Sequence, residues 1–489
     1  MEANYSAHQT PQFRVLSDQQ IQKTIRATFE CLNRTGVNVH NKEARDLLAG
    51  AGARVDGVRV RIPAHIIKDA LASTPQSFTL WGRGGKRTRL EVVPDKIHFG
   101  PGLTSTYFVD SETGERRKSR RGDPALAACV SDALENIDYV MGLALIGDVP
   151  ARLAPVYEYA EMVANTTKPA IPWAFSVDNV SDIYQIALAV AGGEAAFRDR
   201  PSFGLFATYQ SPLQHTKEDL SNVLWAVERD IPIIYMGGGS TGSTAPITGA
   251  GSLIIYLAAV LSGLAIIQLK KRGAAVCFGG IIQATDMLTV RPAYGGPEMS
   301  LYSAAMADIS RYLGVPFMGT AGASESKQVD LQAAIESTFQ VLLSALSGTS
   351  LVHDVGFLDC ADIGSLEMLI MTDEIIGMTR RLMRGIVVSD ETLMLDLIDE
   401  VGPGGEFLST DETAQQFRVE IWHPTLFDRH PWVNWEAAGS KTTADRIKAR
   451  LHDILANHTV PPLPEGVEAE IQAILKNAEE RERNKAAEG

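Results

Sequence analysis

What most limits the folding choices of this chain is a two-part rhythm that sets in at Lys96. Short apolar runs ending in Gly, Asp or Ser clusters are each followed by a stretch of helical periodicity. The runs fall at 96–99, 139–146, 170–175, 203–207, 233–236, 274–278, 315–318 and 350–355. The helical stretches fall at 123–136, 156–165, 181–191, 217–229, 251–271, 298–313, 332–346 and from 368 onward. Strand–helix alternation packs as βαβ units around a parallel sheet, and eight is the number of strands at which such a sheet closes. The expected fold class is α/β, an eight-stranded (β/α) TIM barrel, with an open doubly wound sheet as the alternative.

The flanks differ from this rhythm. Within residues 1–95, an amphipathic helix is expected at 17–35 behind a Ser cap, with two shorter helices at 41–51 and 64–73. A hairpin of 78–81 with 87–92 follows, turning at GRGGK. These elements form an N-terminal α+β cap domain. The barrel is assigned to 96–402, and 403–489 to a C-terminal extension packing on it. That extension has an apolar–aromatic island at 417–435, expected to dock on the barrel, and a charged helix at 466–485.

The chain has 489 residues, 45% hydrophobic and 21% charged, enough for a large core. A formal charge of −14 disfavours nucleic acid as the main partner. The four cysteines, Cys31, Cys129, Cys277 and Cys360, show no CxxC pairing and suit a reducing cytoplasm. No signal-peptide pattern is visible at 1–13. The most apolar stretch, 252–268, is shorter than the ~20 residues of a membrane span and reads as a buried helix.

In a barrel of this kind, chemistry sits in the loops after the C-terminal strand ends. Here those loops are rich in Gly, Ser and Thr, and they carry the aromatics Phe99, Tyr107, Phe108, Tyr209 and Phe357. Few groups can titrate: Asp148, Asp178, Asp286, Glu325, His353 and Asp354. Ring faces beside a few acids suit a methylated ammonium, which cannot donate a hydrogen bond and is held by cation–π attraction. Ordinary loop packing is the competing account of the same rings.

Short motifs give little. The loop Gly237–Thr244 matches GxGxxG formally, but no acid follows between Gly242 and Gly280, as a dinucleotide site requires. GGSTG around Ser240 lacks the helix that starts at a nucleophile elbow. His353, Asp354 and Cys360 have no second cluster to complete a zinc site. RRKSRR at 116–121 reads as a solvated face or as a docking patch for an acidic protein.

Longer segments carry more. FVDSETGERRKS, VSDALENIDYVMG, YGGPEMSLYSAAMADISRYLGVPF, GTAGASESKQVDLQAAIES and LVHDVGFLDC resemble the trimethylamine:corrinoid methyltransferase family, from about Arg14 to Leu455. The resemblance implies a barrel enzyme passing a methyl group from a methylated amine to Co(I) of a corrinoid. That corrinoid rides on a separate cognate corrinoid protein, and the chain indeed lacks the DxHxxG by which cobalamin-carrying domains present their His ligand. No corrinoid is held covalently. Founding members of the family carry pyrrolysine in the loop after the seventh strand, where this chain has SESKQVD at 324–330, all ordinary residues. It therefore resembles the branch without pyrrolysine, the glycine betaine methyltransferases.

On that resemblance, the expected substrate is a small quaternary amine, glycine betaine before other betaines, carnitine-like compounds or trimethylamine. Phe99, Tyr107, Tyr209 and Phe357 are the expected ammonium contacts, with His353 and Gln283 for the carboxylate. Gly237, Gly238, Gly239, Gly319 and Gly322 are expected to leave room for the corrin face. No catalytic proton donor, metal, membrane or nucleic acid is expected, and a homo-oligomer is compatible with the chain. Competing readings are a betaine-binding barrel without turnover, and a lyase or hydrolase using Asp286, Glu325 and His353.

Overall fold

A computed structural model describes residues 10–488; part of the segment inspected for a leader, residues 1–9, lies outside the described residues, as does Gly489. Six of the apolar runs form regular strands: β1 (His98–Pro101), β2 (Leu205–Thr208), β3 (Ile233–Met236), β4 (Val276–Gly279), β5 (Phe317–Thr320) and β6 (Leu351–Val355). They pair in parallel in the order β1-β6-β5-β4-β3-β2, so the first strand lies beside the last and the sheet curls.

The runs at 139–146 and 170–175 do not form regular strands. They contribute single parallel bridges, Val140 to Ala170 and Ala170 to Phe203. Pro169 and Pro172 have no N–H to give a ladder, and Leu143 turns away at φ 56°. What remains are separate bonds, such as Asp138 N–H to Phe99 O at 2.7 Å and Ile171 N–H to Val140 O at 2.9 Å.

Strand side chains alternate between two faces. Ile234, Met236, Cys277, Met318 and Leu351 share one face and cluster with Tyr139, Met141 and Ile171 in the concave interior. Leu80, Leu90 and Val92 of the hairpin Phe78–Trp81/Arg89–Val92 belong to the same cluster, and Trp81 N–H bonds Pro201 O just ahead of β2. The hairpin therefore plugs the N-terminal end of the interior.

Outside lie the helices. Three precede the sheet: α1 (Asp18–Arg34), α2 (Lys42–Gly50) and α3 (Ala64–Ser73). Those that follow are α4 (Gly122–Ala133), α5 (Ala154–Ala164), α6 (Val177–Ala191), α7 (Glu194–Asp199), α8 (Lys217–Glu228), α9 (Gly249–Lys270), α10 (Pro297–Leu313), α11 (Leu331–Ser347) and α12 (Leu366–Met383). A Ser17–Gln20 capping box starts α1, whose buried Ile21, Ile25 and Leu32 lie on one stripe. With α2 and α3 it packs on α9. By length and composition α9 could cross a membrane, but 78% of its most apolar window is buried inside the protein. A helix apolar all round fits a core position.

Val37–Val39 runs parallel to Gln214–His215, tying the first segment to the sheet region. His215 is buried there between Tyr235 OH (2.6 Å) and Ser262 Oγ (2.8 Å). At the far end come α13 (Asp390–Leu393), α14 (Leu395–Val401), α15 (Asp411–Glu420), α16 (Trp432–Ala437), α17 (Thr443–Asn457) and α18 (Val467–Glu488). Of the aromatic island, the start and the middle dock on α12: Arg381 Nε donates to Glu420 O at 2.7 Å, and Glu374 accepts the N–H groups of Thr425, Leu426 and Phe427. Trp432 and Val433 stay 70% and 71% exposed.

Candidate functional site

The C-terminal ends of the strands build one polar feature into the apolar interior. Leu351 faces inward, so His353, two residues on, does the same, and its ring lies 6.1 Å from that of Phe206. Neighbouring strand residues normally point to opposite faces. Asp354 escapes this with φ 78°, which brings its carboxylate round to His353 Nδ1 at 2.5 Å. A non-glycine residue in this region costs on the order of 1 kcal/mol, so the surroundings must hold it. Tyr294 OH donates to the other Asp354 oxygen at 3.0 Å. With Nδ1 committed to Asp354, Nε2 faces Thr320 Oγ1 at 3.2 Å and is the nitrogen free to meet a ligand.

Two aromatic rings, Trp173 and Phe206, are half-buried against the interior cluster at the same end. The indole of Trp173 packs edge-on to Phe175, centroids 4.5 Å apart. Behind it, Glu158 of α5 is fully buried and accepts from Trp173 Nε1 at 3.1 Å. Its Oε1 has no hydrogen-bond partner among the described residues. Burial pushes this carboxyl well above the ordinary carboxylate range. Gly142 is obligatory beside it, because a Cβ there would lie 1.8 Å from Glu158 Oε1.

A second layer stands on this rim. Gly238–Thr241 and Ile281–Thr285 pair in parallel beyond β3 and β4. Gln283 shares the strand face of Ile281, which packs on the interior cluster. Gln283 Nε2 donates weakly to Ser240 Oγ at 3.4 Å, and its buried Oε1 has no partner among the described residues.

The expected aromatic contacts sit elsewhere. Phe99 and Phe357 are buried between sheet and helices, because Phe99 shares the outward face with Val352. Tyr209 is buried on the helix side beside Tyr235 and Tyr256. Tyr107 is already covered by the chain's own cations, Arg116 at 3.2 Å and Lys118 at 4.0 Å from the ring centroid. These four rings do not line the interior.

The glycines also divide. A Cβ on Gly237 would strike Tyr209 O at 2.5 Å, on Gly239 Tyr256 OH at 2.3 Å, and on Gly319 Ser303 Oγ at 2.7 Å. Gly322 takes a left-handed φ of 80°. Internal packing and backbone shape account for these four. Gly238 alone among the five is exposed, with nothing nearer than 3.9 Å to an added Cβ.

Asp286 caps its own turn through Leu288 and Thr289 N–H. In 116–121, Arg117 grips Asp110 and Asp123, and Arg121 bonds Glu161 at 2.6 Å. Lys118, Ser119 and Arg120 border a cleft of about 640 Å³ that Leu145, Ile146 and Phe175 also line. Among the described residues no group of three or more His, Cys, Asp or Glu could hold a metal ion.

Trp173, Phe206 and Glu158 are the features a reading of strand ends passes over. Period-two counting from the apolar Ile171 and Leu205 could have found the rings, because it separates the inward from the helix-facing positions. No linear signal marks Glu158, which lies mid-helix in α5.

Residues 1–482 match the protein family described as Trimethylamine methyltransferase (MTTB). The chain is 31% identical over 474 residues to the trimethylamine methyltransferase MttB of Desulfitobacterium hafniense (strain DSM 10664 / DCB-2), covering 95% of this chain and 94% of that one. It is 32% identical to MttB of Methanosarcina barkeri (strain Fusaro / DSM 804), over 93% and 92% of the two chains. Glycine betaine methyltransferase of D. hafniense (strain Y51) is 29% identical, over 95% and 97%. Among solved structures, the hydroxylamine complex of MtmB superposes with a TM-score of 0.51 at 12% identity, covering 91% and 89%; that likeness bears on the fold alone.

Proposed function

The chain belongs to the trimethylamine methyltransferase family and is a methyltransferase; on that premise we propose that its methyl donor is a small quaternary amine, glycine betaine before others. The acceptor in this reading is a corrinoid carried by a separate cytoplasmic protein. The observation that carries the proposal is the joint placement of Trp173, Phe206 and the Asp354-oriented imidazole of His353 at one end of the interior. Ring faces attract an alkylated ammonium that cannot donate a hydrogen bond, at ~0.5–2 kcal/mol each. His353 Nε2 then meets the carboxylate at the other end of a betaine.

The loop 324–330 supports a quaternary donor. Ser324 Oγ and Glu325 N–H bond Glu336, and Asp330 caps α11, so ordinary side chains serve the loop itself. A quaternary nitrogen already carries the positive charge that makes it a leaving group. The chain therefore needs no proton donor for the transfer, which suits an Asp286 tied up in a turn. Its work is to orient the N–CH3 bond and exclude water; orientation of this kind contributes up to ~7–11 kcal/mol.

The rim fits a large flat partner. Gly238 leaves open space, and Ile247, Met287, Leu288 and Val290 stand exposed on the loops beyond β3 and β4. These residues would contact the carrier and its corrinoid, which when bound supplies the nucleophile that accepts the methyl group. We also read the bridges at Val140, Ala170 and Phe203 as completing an eight-stranded barrel over 96–402. Residues 1–95 then cap it and 403–489 extend it.

The test is calorimetry with glycine betaine, proline betaine, carnitine, choline and trimethylamine, followed by chromatography for dimethylglycine with reduced cobalamin present. Tightest binding of a betaine and formation of its demethylated product support the reading. Binding of trimethylamine alone would overturn the donor assignment, and betaine binding with no product in any assay would leave a binding protein.

A further inference from the structure

We propose that Gln283 and Ser240 form a hydroxyl subsite at the rim of the interior, so that a hydroxylated quaternary amine binds in preference to its deoxy analogue. The inference rests on the quaternary-amine reading and adds a contact to it. Glycine betaine, which has no hydroxyl, leaves that contact unused.

Strand parity places both side chains. In the second layer Ser240 lies opposite Gln283 across the parallel pairing of Gly238–Thr241 with Ile281–Thr285. Along the first segment, Gly239 and Thr241 face the helices. A Cβ on Gly239 would lie 2.3 Å from Tyr256 OH, and Thr241 Oγ1 meets Ser252 Oγ of α9 at 2.9 Å. Along the second segment, Ile282 is buried in the core between sheet and helices. Ser240 and Gln283 alternate with these residues, so they point to the other face, where Ile281 packs on the interior cluster. Both are more than nine-tenths buried, at 9% and 7% exposed.

The pair has hydrogen-bonding capacity to spare. Gln283 Nε2 reaches Ser240 Oγ only at 3.4 Å, and Gln283 Oε1 has no partner among the described residues. A buried amide oxygen without a donor is costly, so a ligand that supplies one gains. An alkylated ammonium has no N–H, and a carboxylate only accepts; neither meets this oxygen. A hydroxyl does. It donates to Oε1 and accepts from the Ser240 hydroxyl, whose own hydrogen is left free when Nε2 is the donor. With the amide turned over, the same hydroxyl accepts from Nε2 instead. A site built this way discriminates against the analogue lacking the hydroxyl, because its polar atoms are then left unpaired.

The test is calorimetry on the full chain with two matched pairs, choline against ethyltrimethylammonium and carnitine against γ-butyrobetaine. The members of each pair differ by one hydroxyl. The parent should bind the hydroxylated member of at least one pair about tenfold tighter or more. Gln283→Met keeps the length of the side chain without its amide, and should bring that preference within about threefold. It should leave the deoxy member within about threefold of the parent, which also reports an intact pocket. Ser240→Ala, a smaller change, should reduce the same preference in part. Equal binding within both pairs by the parent, or an undiminished preference in Gln283→Met, would overturn the subsite and leave the quaternary-amine reading standing. A parent that binds no quaternary amine at all would overturn both.

Discussion

The indole N–H of Trp173 is held at 3.1 Å by a fully buried carboxyl group, that of Glu158. A buried acid thus fixes the plane of the ring at the rim of the interior. Glu158→Gln keeps an acceptor of the same shape and should leave betaine affinity within about threefold. Glu158→Ala frees the indole and opens a cavity, and should cost about tenfold, near 1.4 kcal/mol. Calorimetry reads both, and tryptophan emission should shift only in the Ala variant. Equal losses would show that an acceptor of the same shape does not replace the carboxyl group.

His353 is expected to read the carboxylate end of the ligand. His353→Ala should weaken glycine betaine at least tenfold while leaving tetramethylammonium, which has no carboxylate, within threefold. Asp354→Asn should fall between the two, because the ring remains but loses its fixed tautomer. Parallel loss of both ligands would place His353 in the framework and outside the binding pocket.

Stability should fall in mild acid through His215. Burial pushes its imidazole from 6.5 down to about 3. The unfolded chain takes up a proton near pH 6.5 while the folded one does not, so stability is lost as pH drops from there toward 3. The slope is about 1.4 kcal/mol per pH unit from this group. Urea midpoints at pH 7 and pH 5 should differ less in His215→Gln than in the parent.

Gly263 lets α9 sit against β3. A Cβ there would lie 2.0 Å from the Tyr235 ring, whose hydroxyl is held by His215 at 2.6 Å and cannot swing away. Gly263→Ala should lose about 1–3 kcal/mol by overpacking. Gly50→Ala, at the end of α2 with nothing within 4 Å, should gain about 0.5–1 kcal/mol. Thermal melts decide both signs.

Much of the chain's order is written locally. The Ser17 cap, the α9 core helix and the six regular strands follow from period and capping residues, since each depends on neighbours within a few positions. The strand-like runs around Val140 and Ala170 show the limit: their apolar content is right, but Leu143 bends the first away and Pro169 and Pro172 deny the second a ladder. At the site, His353 is expected from its strand-end position, and the structure turns it toward the interior beside Phe206. Phe99 and Tyr209 misled because a ring near a strand end faces the helices or the interior according to a one-residue change of parity. Glu158 was invisible, as its meaning comes from Trp173 and Gly142, which only the folded chain brings to it.

The hairpin stopper at the N-terminal end has a kinetic consequence. Leu80, Leu90 and Val92 pack the floor of the interior, leaving the rim as its doorway in the proposed reaction. If amine and carrier both use it, traffic must be sequential: the donor enters before the carrier covers the entrance, and the demethylated amine departs only once the carrier lifts. Steady-state rates should then show a compulsory order, with excess carrier slowing turnover by trapping the empty enzyme shut.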